Sequence, residues 1–210
     1  MVSNRHCEAC GQVKARCFCR FVVSIDNISR ILILQHPSEV KNAKNTAGLL
    51  GKCLKNSQTF VGEIFSETFL HSTLYSRGLT PLLLYPPTID PKSLGIESPP
   101  ELPSHINPEQ VLLVIIDATW RKSRKMLYLN RALQGLARVS LDQAPPSRYR
   151  IRKTDGEHQL STLEASCYAL ATLAPQQKVQ PVLDAFSAYI DHLASFYPHA
   201  APKQRNHEDL

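Results

Sequence analysis

Short continuous apolar runs recur along this chain, separated by segments whose apolar residues fall at helical intervals. Ile31-Leu32-Ile33-Leu34 stops at His36-Pro37, as a buried strand would, and the segment from Ser38 to Leu54 then has helix-forming composition. Thr59 to Ile64 reads as a second strand and Leu82 to Tyr85 as a third. Val111 to Ile116 is the clearest strand, unbroken by polar residues as in a sheet covered on both faces, and Asp117-Ala118-Thr119-Trp120 stands at its carboxyl end. From Arg121 to Leu136 the positions Met126, Leu129, Leu133 and Leu136 predict one helix, followed by a short strand from Arg138 to Leu141. Ser161-Thr162-Leu163-Glu164 has the capping-box pattern and opens a helix through about Leu173. A last helix runs from Pro181, suited to a first helical turn, to about Phe196. Strands alternating with helices predict an α/β fold with a mostly parallel sheet.

Two stretches lie outside this alternation. The first twenty residues are polar, rich in cysteine and without period, and read as a small knuckle. Pro86 to Pro108 holds seven prolines, which no helix or central strand accommodates, so it reads as a long loop. Loops of that length usually carry function or are disordered.

Composition narrows the class. With 210 residues, 43% of them hydrophobic, the chain can bury a core of one large domain or one domain with a small appendage. Its longest apolar run is far short of the roughly 20 residues that span a membrane. The segment from Met1 to Cys7 lacks the apolar stretch of a signal peptide, so the expected compartment is the cytoplasm. Six cysteines there stay reduced and serve as metal ligands or buried thiols. The net charge of +6 is unevenly spread: Arg121 to Lys153 holds ten Lys or Arg against one acid, Asp142, leaving −3 for the rest. Clusters at both ends of that window, Arg121-Lys122-Ser123-Arg124-Lys125 and Arg148 to Lys153, favour a nucleic-acid footprint over a merely solvated face.

Cys7, Cys10, Cys17 and Cys19 give C-x2-C-x6-C-x-C, a natural structural zinc site for a knuckle too small to build a core, with His6 a substitute ligand. Cys53 and Cys167 sit in apolar helical contexts and read as core. Asp117 lies where open α/β sheets place ligands, or it caps the next helix, as Thr119 could equally do. The four cations behind it oppose the helix dipole, a conflict that a bound phosphate removes. Trp120, the only tryptophan, is either core or a face for a base to stack on. His36 occupies a similar strand-to-helix position. No glycine-rich phosphate loop, G-x-G-x-x-G or G-x-S-x-G is present, so nucleotide triphosphatase, dinucleotide oxidoreductase and hydrolase readings lose their usual support.

Taken in order, the cysteine set, His36-Pro37 with Glu39, Asn45-Thr46, Leu84-Tyr85-Pro86, Asp117-Ala118-Thr119-Trp120 with Arg121-Lys122, Tyr149 to Lys153 and Leu160-Ser161-Thr162 with Glu164 resemble the DTW-domain family over nearly the whole chain. The resemblance implies a tRNA-uridine aminocarboxypropyltransferase, which moves the 3-amino-3-carboxypropyl group of S-adenosylmethionine to N3 of a tRNA uridine, in the variable loop for bacterial members. It also implies a SPOUT-like α/β fold with a C-terminal trefoil knot, which the periodicity does not show. The corresponding domains are a four-cysteine zinc knuckle at 1–24, a catalytic domain at 25–198 and a flexible tail at 199–210.

By the same resemblance, Asp117, Thr119 and Trp120 are the catalytic candidates. Asp117 aids N3 deprotonation, for which burial must raise its pKa from about 3.9, or else it orients the base. Leu84, Tyr85, Pro86, Pro87, Leu160, Ser161, Thr162 and Glu164 are the candidates for S-adenosylmethionine, partly through backbone amides at the helix start. Those for tRNA are His36, Glu39, Asn45, Thr46, Arg121, Lys122, Arg124, Lys125, Arg148, Tyr149, Arg150, Arg152 and Lys153. Two other readings stay open: a SPOUT-type RNA methyltransferase, and a zinc-knuckle RNA-binding module without catalysis.

Overall fold

A computed structural model describes residues 5–40, 42, 46–86, 98–141, 145–147 and 160–196. Five strands, β1 (Arg30–Gln35), β2 (Ser57–Val61), β3 (Thr80–Leu84), β4 (Val111–Asp117) and β5 (Ala137–Val139), form one sheet. All pairs are parallel, in the order β2-β1-β4-β3-β5. The helices are α1 (Pro37–Val40), α2 (Ala47–Cys53), α3 (Glu67–Leu74), α4 (Trp120–Leu129), α5 (Arg131–Gln134), α6 (Thr162–Leu173) and α7 (Gln180–Ala194).

The unbroken apolar strands are explained by two cores, one on each face. Ile31, Ile33, Leu113 and Ile115 pack with α2, α6 and α7, while Leu32, Leu34, Val114 and Ile116 pack with α3, α4 and α5. Alternate side chains leave a strand on opposite faces, so a strand covered twice has no polar position to offer. Each buried Leu or Ile contributes about 1.5–3 kcal/mol, which makes the central pair β1 and β4 the most costly place to introduce a polar residue.

Three predicted elements differ in the structure. The helix expected from Ser38 to Leu54 is two short ones, α1 and α2. Helices in proteins are held mainly by a buried face, and α1 buries nothing whereas α2 buries Ala47, Leu49, Leu50 and Cys53. The helix expected from Arg121 to Leu136 breaks at Asn130, whose amide donates to the Met126 and Glu63 carbonyls and accepts from the Phe65 N–H. That side chain ties the end of α4 to the β2–α3 connection. The second strand starts and ends earlier than expected, and α3 was not anticipated, although Ser66 caps it through the Phe69 N–H and Leu70 and Leu74 face the core.

The first twenty residues pack against α7. Phe18 meets Tyr189 edge-on at 5.9 Å, and Phe21 lies 5.6 Å from the same ring. The Tyr189 hydroxyl donates to the Arg16 carbonyl at 3.2 Å. His192 bonds the Ala15 carbonyl through Nε2 and Arg20 through Nδ1, so Nε2 carries the proton. Among the described residues no helix is long and apolar enough to cross a membrane. The expected tail at 199–210 lies outside the described residues, as does most of the connection from β5 to α6.

Candidate active site and metal centre

The chain leaves β1 for β2 on one side, then returns across the sheet so that β4 lies between β1 and β3. Open parallel sheets hold ligands outside the carboxyl ends of their strands at such a reversal. Asp117, the last residue of β4, is in register with Gln35, the last residue of β1. The Gln35 amide donates to Asp117 Oδ2 at 2.8 Å and the Thr162 hydroxyl donates to Oδ1 at 2.7 Å. Asp117 is only 6% exposed. Its carboxylate therefore joins β1 to the start of α6. Thr119 occupies the N-cap of α4 but its side chain makes no capping bond.

A cleft of about 410 Å³ opens beside these residues. Leu84, Tyr85 and Pro86 line it from the end of β3, Trp120 and Ser123 from α4, Val139 to Leu141 from β5, and Leu160, Ser161 and Thr162 from the start of α6. Tyr85 and Trp120 stack at 5.4 Å with their planes 20° apart. The Tyr85 hydroxyl lies 3.5 Å from Ser123 Oγ, and burial pushes its pKa up. Arg138 also lies over Tyr85: its guanidinium is 5.2 Å from the Tyr85 ring centre and donates to the Pro86 carbonyl at 3.3 Å. Asp117 itself does not border the cleft; it sits one side chain behind it, through Thr162.

The capping box of α6 is complete. Ser161 Oγ accepts from the Glu164 N–H, and Glu164 Oε2 accepts from the Ser161 N–H and from the hydroxyls of Ser161 and Ser147. The Leu163 N–H goes to Thr46 Oγ1 at 3.4 Å. Three of the four amides from Ser161 to Glu164 are thus engaged inside the protein, which leaves little at this helix start for a ligand carboxylate.

His36 lies at the carboxyl end of β1, its N–H on the Asp117 carbonyl at 2.9 Å. The Ser38 N–H donates to His36 Nδ1, so Nε2 holds the proton and donates to Glu63 Oε1 at 3.3 Å. Glu63 also pairs with Lys125 at 3.0 Å, and Lys125 first, then His36, hold its carboxyl below the usual range. Lys122 donates to Ser38 Oγ, and Glu39 accepts from Asn42 at 2.9 Å. Of the four cations on α4, Lys122 and Lys125 therefore have hydrogen-bonding partners, whereas Arg121 and Arg124 are exposed, with Arg124 acting electrostatically on Tyr85. Thr46 is buried beneath α6 rather than at the surface. Asn45, Pro87, Arg148, Tyr149, Arg150, Arg152 and Lys153 lie outside the described residues.

Four residues here escaped the sequence reading: Gln35, Glu63, Ser123 and Arg138. Only Arg138 left a trace, as one charge in the basic window. Gln35 and Glu63 act through partners 82 and 27 residues away, a separation that no local pattern encodes.

The four knuckle cysteines come together as the spacing requires. Their sulfurs all lie within 4.8 Å of one another, with Cys7 and Cys19 3.8 Å apart and Cys10 and Cys17 3.6 Å apart. Tetrahedral thiolates at about 2.3 Å from zinc are about 3.8 Å apart, so the donor set fits that ion. Gly11, at φ +70°, makes the turn that lets Cys7 and Cys10 share one side of it. The Cys10 backbone donor, the Cys17 thiol and the Ala9 backbone donor hold the Cys7 thiol down to about 6, whereas burial raises that of Cys17 and pushes that of Cys19 up to about 12. All six cysteines are free thiols.

The family model for the DTW domain matches residues 4–194. Among curated proteins, the chain is 29% identical over 185 residues to a macaque protein named tRNA-uridine aminocarboxypropyltransferase 2, covering 84% of this chain and 59% of that one. A Drosophila melanogaster protein of the same name is 32% identical over 187 residues, covering 84% and 70%. An Arabidopsis thaliana protein named tRNA-uridine aminocarboxypropyltransferase A is 30% identical over 156 residues, covering 65% and 56%. The chain thus spans a little over half to about two thirds of the length of these relatives. No solved structure matches it.

Proposed function

Because this chain belongs to the DTW-domain family, we propose that it transfers the 3-amino-3-carboxypropyl group of S-adenosylmethionine to N3 of a tRNA uridine, in the variable loop and in the cytoplasm. The observation that carries the reading is the meeting of Trp120 with Tyr85 and Thr162 at one cleft on the carboxyl ends of the strands, with Asp117 held directly behind Thr162. The names of its relatives point to the same chemistry. We read the fold as SPOUT-like with a C-terminal trefoil knot, as the family resemblance implies.

The cleft suits the donor. Its apolar walls and the Tyr85–Trp120 stack suit a purine, and its volume lies in the range of small-molecule pockets. When bound, the sulfonium supplies three electrophilic carbons, of which the methyl is the least hindered. The protein's task is orientation, presenting the propyl carbon to the nucleophile. N3 forms its bond to that carbon as the carbon–sulfur bond breaks, the electron pair stays on sulfur, and methylthioadenosine leaves. The N3 proton must go to an acceptor. Asp117, with one oxygen tied to Gln35 and the other to Thr162, aids the deprotonation or orientation of the imide. Its burial behind Thr162 favours orientation. Arg121 and Arg124, with the Arg148 to Lys153 cluster, supply phosphate contacts, and the knuckle holds structural zinc.

The test uses unmodified tRNA and S-adenosylmethionine labelled in its carboxyl carbon or in its methyl. Carboxyl label in tRNA, with methyl label on the released thioether, is expected. Methyl label in tRNA would make the protein a methyltransferase, and no transfer with tRNA binding intact would make it a binding module. Asp117→Asn should lower transfer by on the order of 100-fold while sparing tRNA affinity; equal loss of both would remove Asp117 from the chemistry.

A further inference from the structure

One face of α4 turns aromatic and cationic side chains to solvent, among them Trp120, which stacks on Tyr85, and Lys125, which pairs with Glu63. Ser123, Met126 and Leu127 are buried, whereas Trp120, Arg121, Arg124, Lys125 and Tyr128 are exposed. Trp120, Arg124 and Tyr128 are four residues apart, so they form one ridge along the helix. Trp120 is 56% exposed and Tyr128 57%. Trp120 meets the cleft, one face on Tyr85. Tyr128 stands two turns further on, about 12 Å along the axis, well away from it.

The far end of the ridge is held in place. The Gln134 amide donates to the Leu127 and Tyr128 carbonyls at 3.0 Å each, and the Asn130 amide donates to the Met126 carbonyl. These bonds satisfy carbonyls that a helix end otherwise leaves to water. Tyr128 therefore projects from a fixed backbone, with Arg124 one turn before it. Among the described residues, Tyr128 is 57% exposed and takes no part in either core.

We infer that the Trp120–Arg124–Tyr128 ridge is a track for a single RNA strand, in which Tyr128 stacks on a base beyond the one in the cleft and Arg124 takes the phosphate between them. The chemistry is that of single-strand binding: flat rings for bases, which every base satisfies, and guanidinium for the backbone. Charge complementarity selects RNA as the occupant, since α4 carries four cations and no acid. Lys125 is a lesser contributor because Glu63 already neutralises it. The inference rests on the tRNA reading above and adds to it a second base-binding position outside the cleft.

The experiment measures affinity for an unmodified tRNA transcript and for a single-stranded oligouridylate. The proteins are the wild type, Tyr128→Ala, Tyr128→Phe, Arg124→Ala and Tyr75→Ala, the last an equally exposed tyrosine outside α4. Tyr128→Ala should weaken both ligands at least about fivefold, the lower range for loss of one stacked base. Tyr128→Phe should keep wild-type affinity, because the ring and not the hydroxyl is used. Arg124→Ala should flatten the salt dependence by about one counterion. Tyr75→Ala should change nothing. Unchanged affinity in Tyr128→Ala, or an equal loss in Tyr75→Ala, overturns the track even if the wild type transfers label to tRNA. Conversely, loss of affinity in Tyr128→Ala with no transfer by the wild type upholds the track and rejects the transferase reading.

Discussion

Two helices begin beside the same cleft and are built in opposite ways. At α6 the start is closed: Ser161 and Glu164 satisfy each other, Ser147 and Thr46 add to the network, and Glu164 is wholly buried. At α4 it is open: Thr119 caps nothing, Asp117 is turned aside to Gln35 and Thr162, and the first turns carry cations where the dipole prefers acids. The first arrangement is what stability alone would select. The second gives up stabilisation that an acidic side chain in the first turn would provide, and keeps positive charge beside the cleft. The contrast thus separates positions at α6 that hold the fold from positions at α4 that are proposed to meet RNA.

The contrast is most strongly challenged at Glu164. Glu164→Ala leaves the Ser161 N–H buried without a partner and opens a cavity, so thermal or denaturant unfolding should show a loss of about 3 kcal/mol. A loss below about 1 kcal/mol would mean that the α6 network is not structural. A smaller effect is expected from the two N-caps compared directly: Ser161→Ala should cost about 1 kcal/mol, whereas Thr119→Ala should cost almost nothing. Equal costs would erase the distinction. The smallest change has the opposite sign. Arg121→Glu puts an acid where the α4 dipole favours one, and should raise stability by about 0.3–1 kcal/mol while weakening tRNA binding and flattening its salt dependence. Lower stability in that variant would show that Arg121 serves the fold.

Much of the fold was legible because its signals are local. The apolar run of β4, the capping box of α6 and the cysteine spacing each lie within a dozen or so residues, and each appears as expected. Errors arose where a distant partner overrode the local pattern. The stripe from Met126 to Leu136 keeps helical spacing across Asn130, but Asn130 finds better partners at Glu63 and Phe65 and ends α4 there. The site was half legible. Asp117 was marked by its place after β4, and Trp120 by being the only tryptophan, yet neither position says what the side chain touches.

By itself the sequence determined the class of fold, the two-sided burial of its central strands, the donor set for a metal and the family to which the chain belongs, since each depends on residue type and short spacing. Tertiary structure alone decided that Asp117 joins Gln35 to Thr162. It also decided that Glu63 neutralises Lys125 and orients His36, and that Trp120 and Tyr128 face outward. Those outcomes depend on which strand ends the sheet order brings side by side, and a hydrogen bond or ion pair acts only over the few ångströms that this order creates.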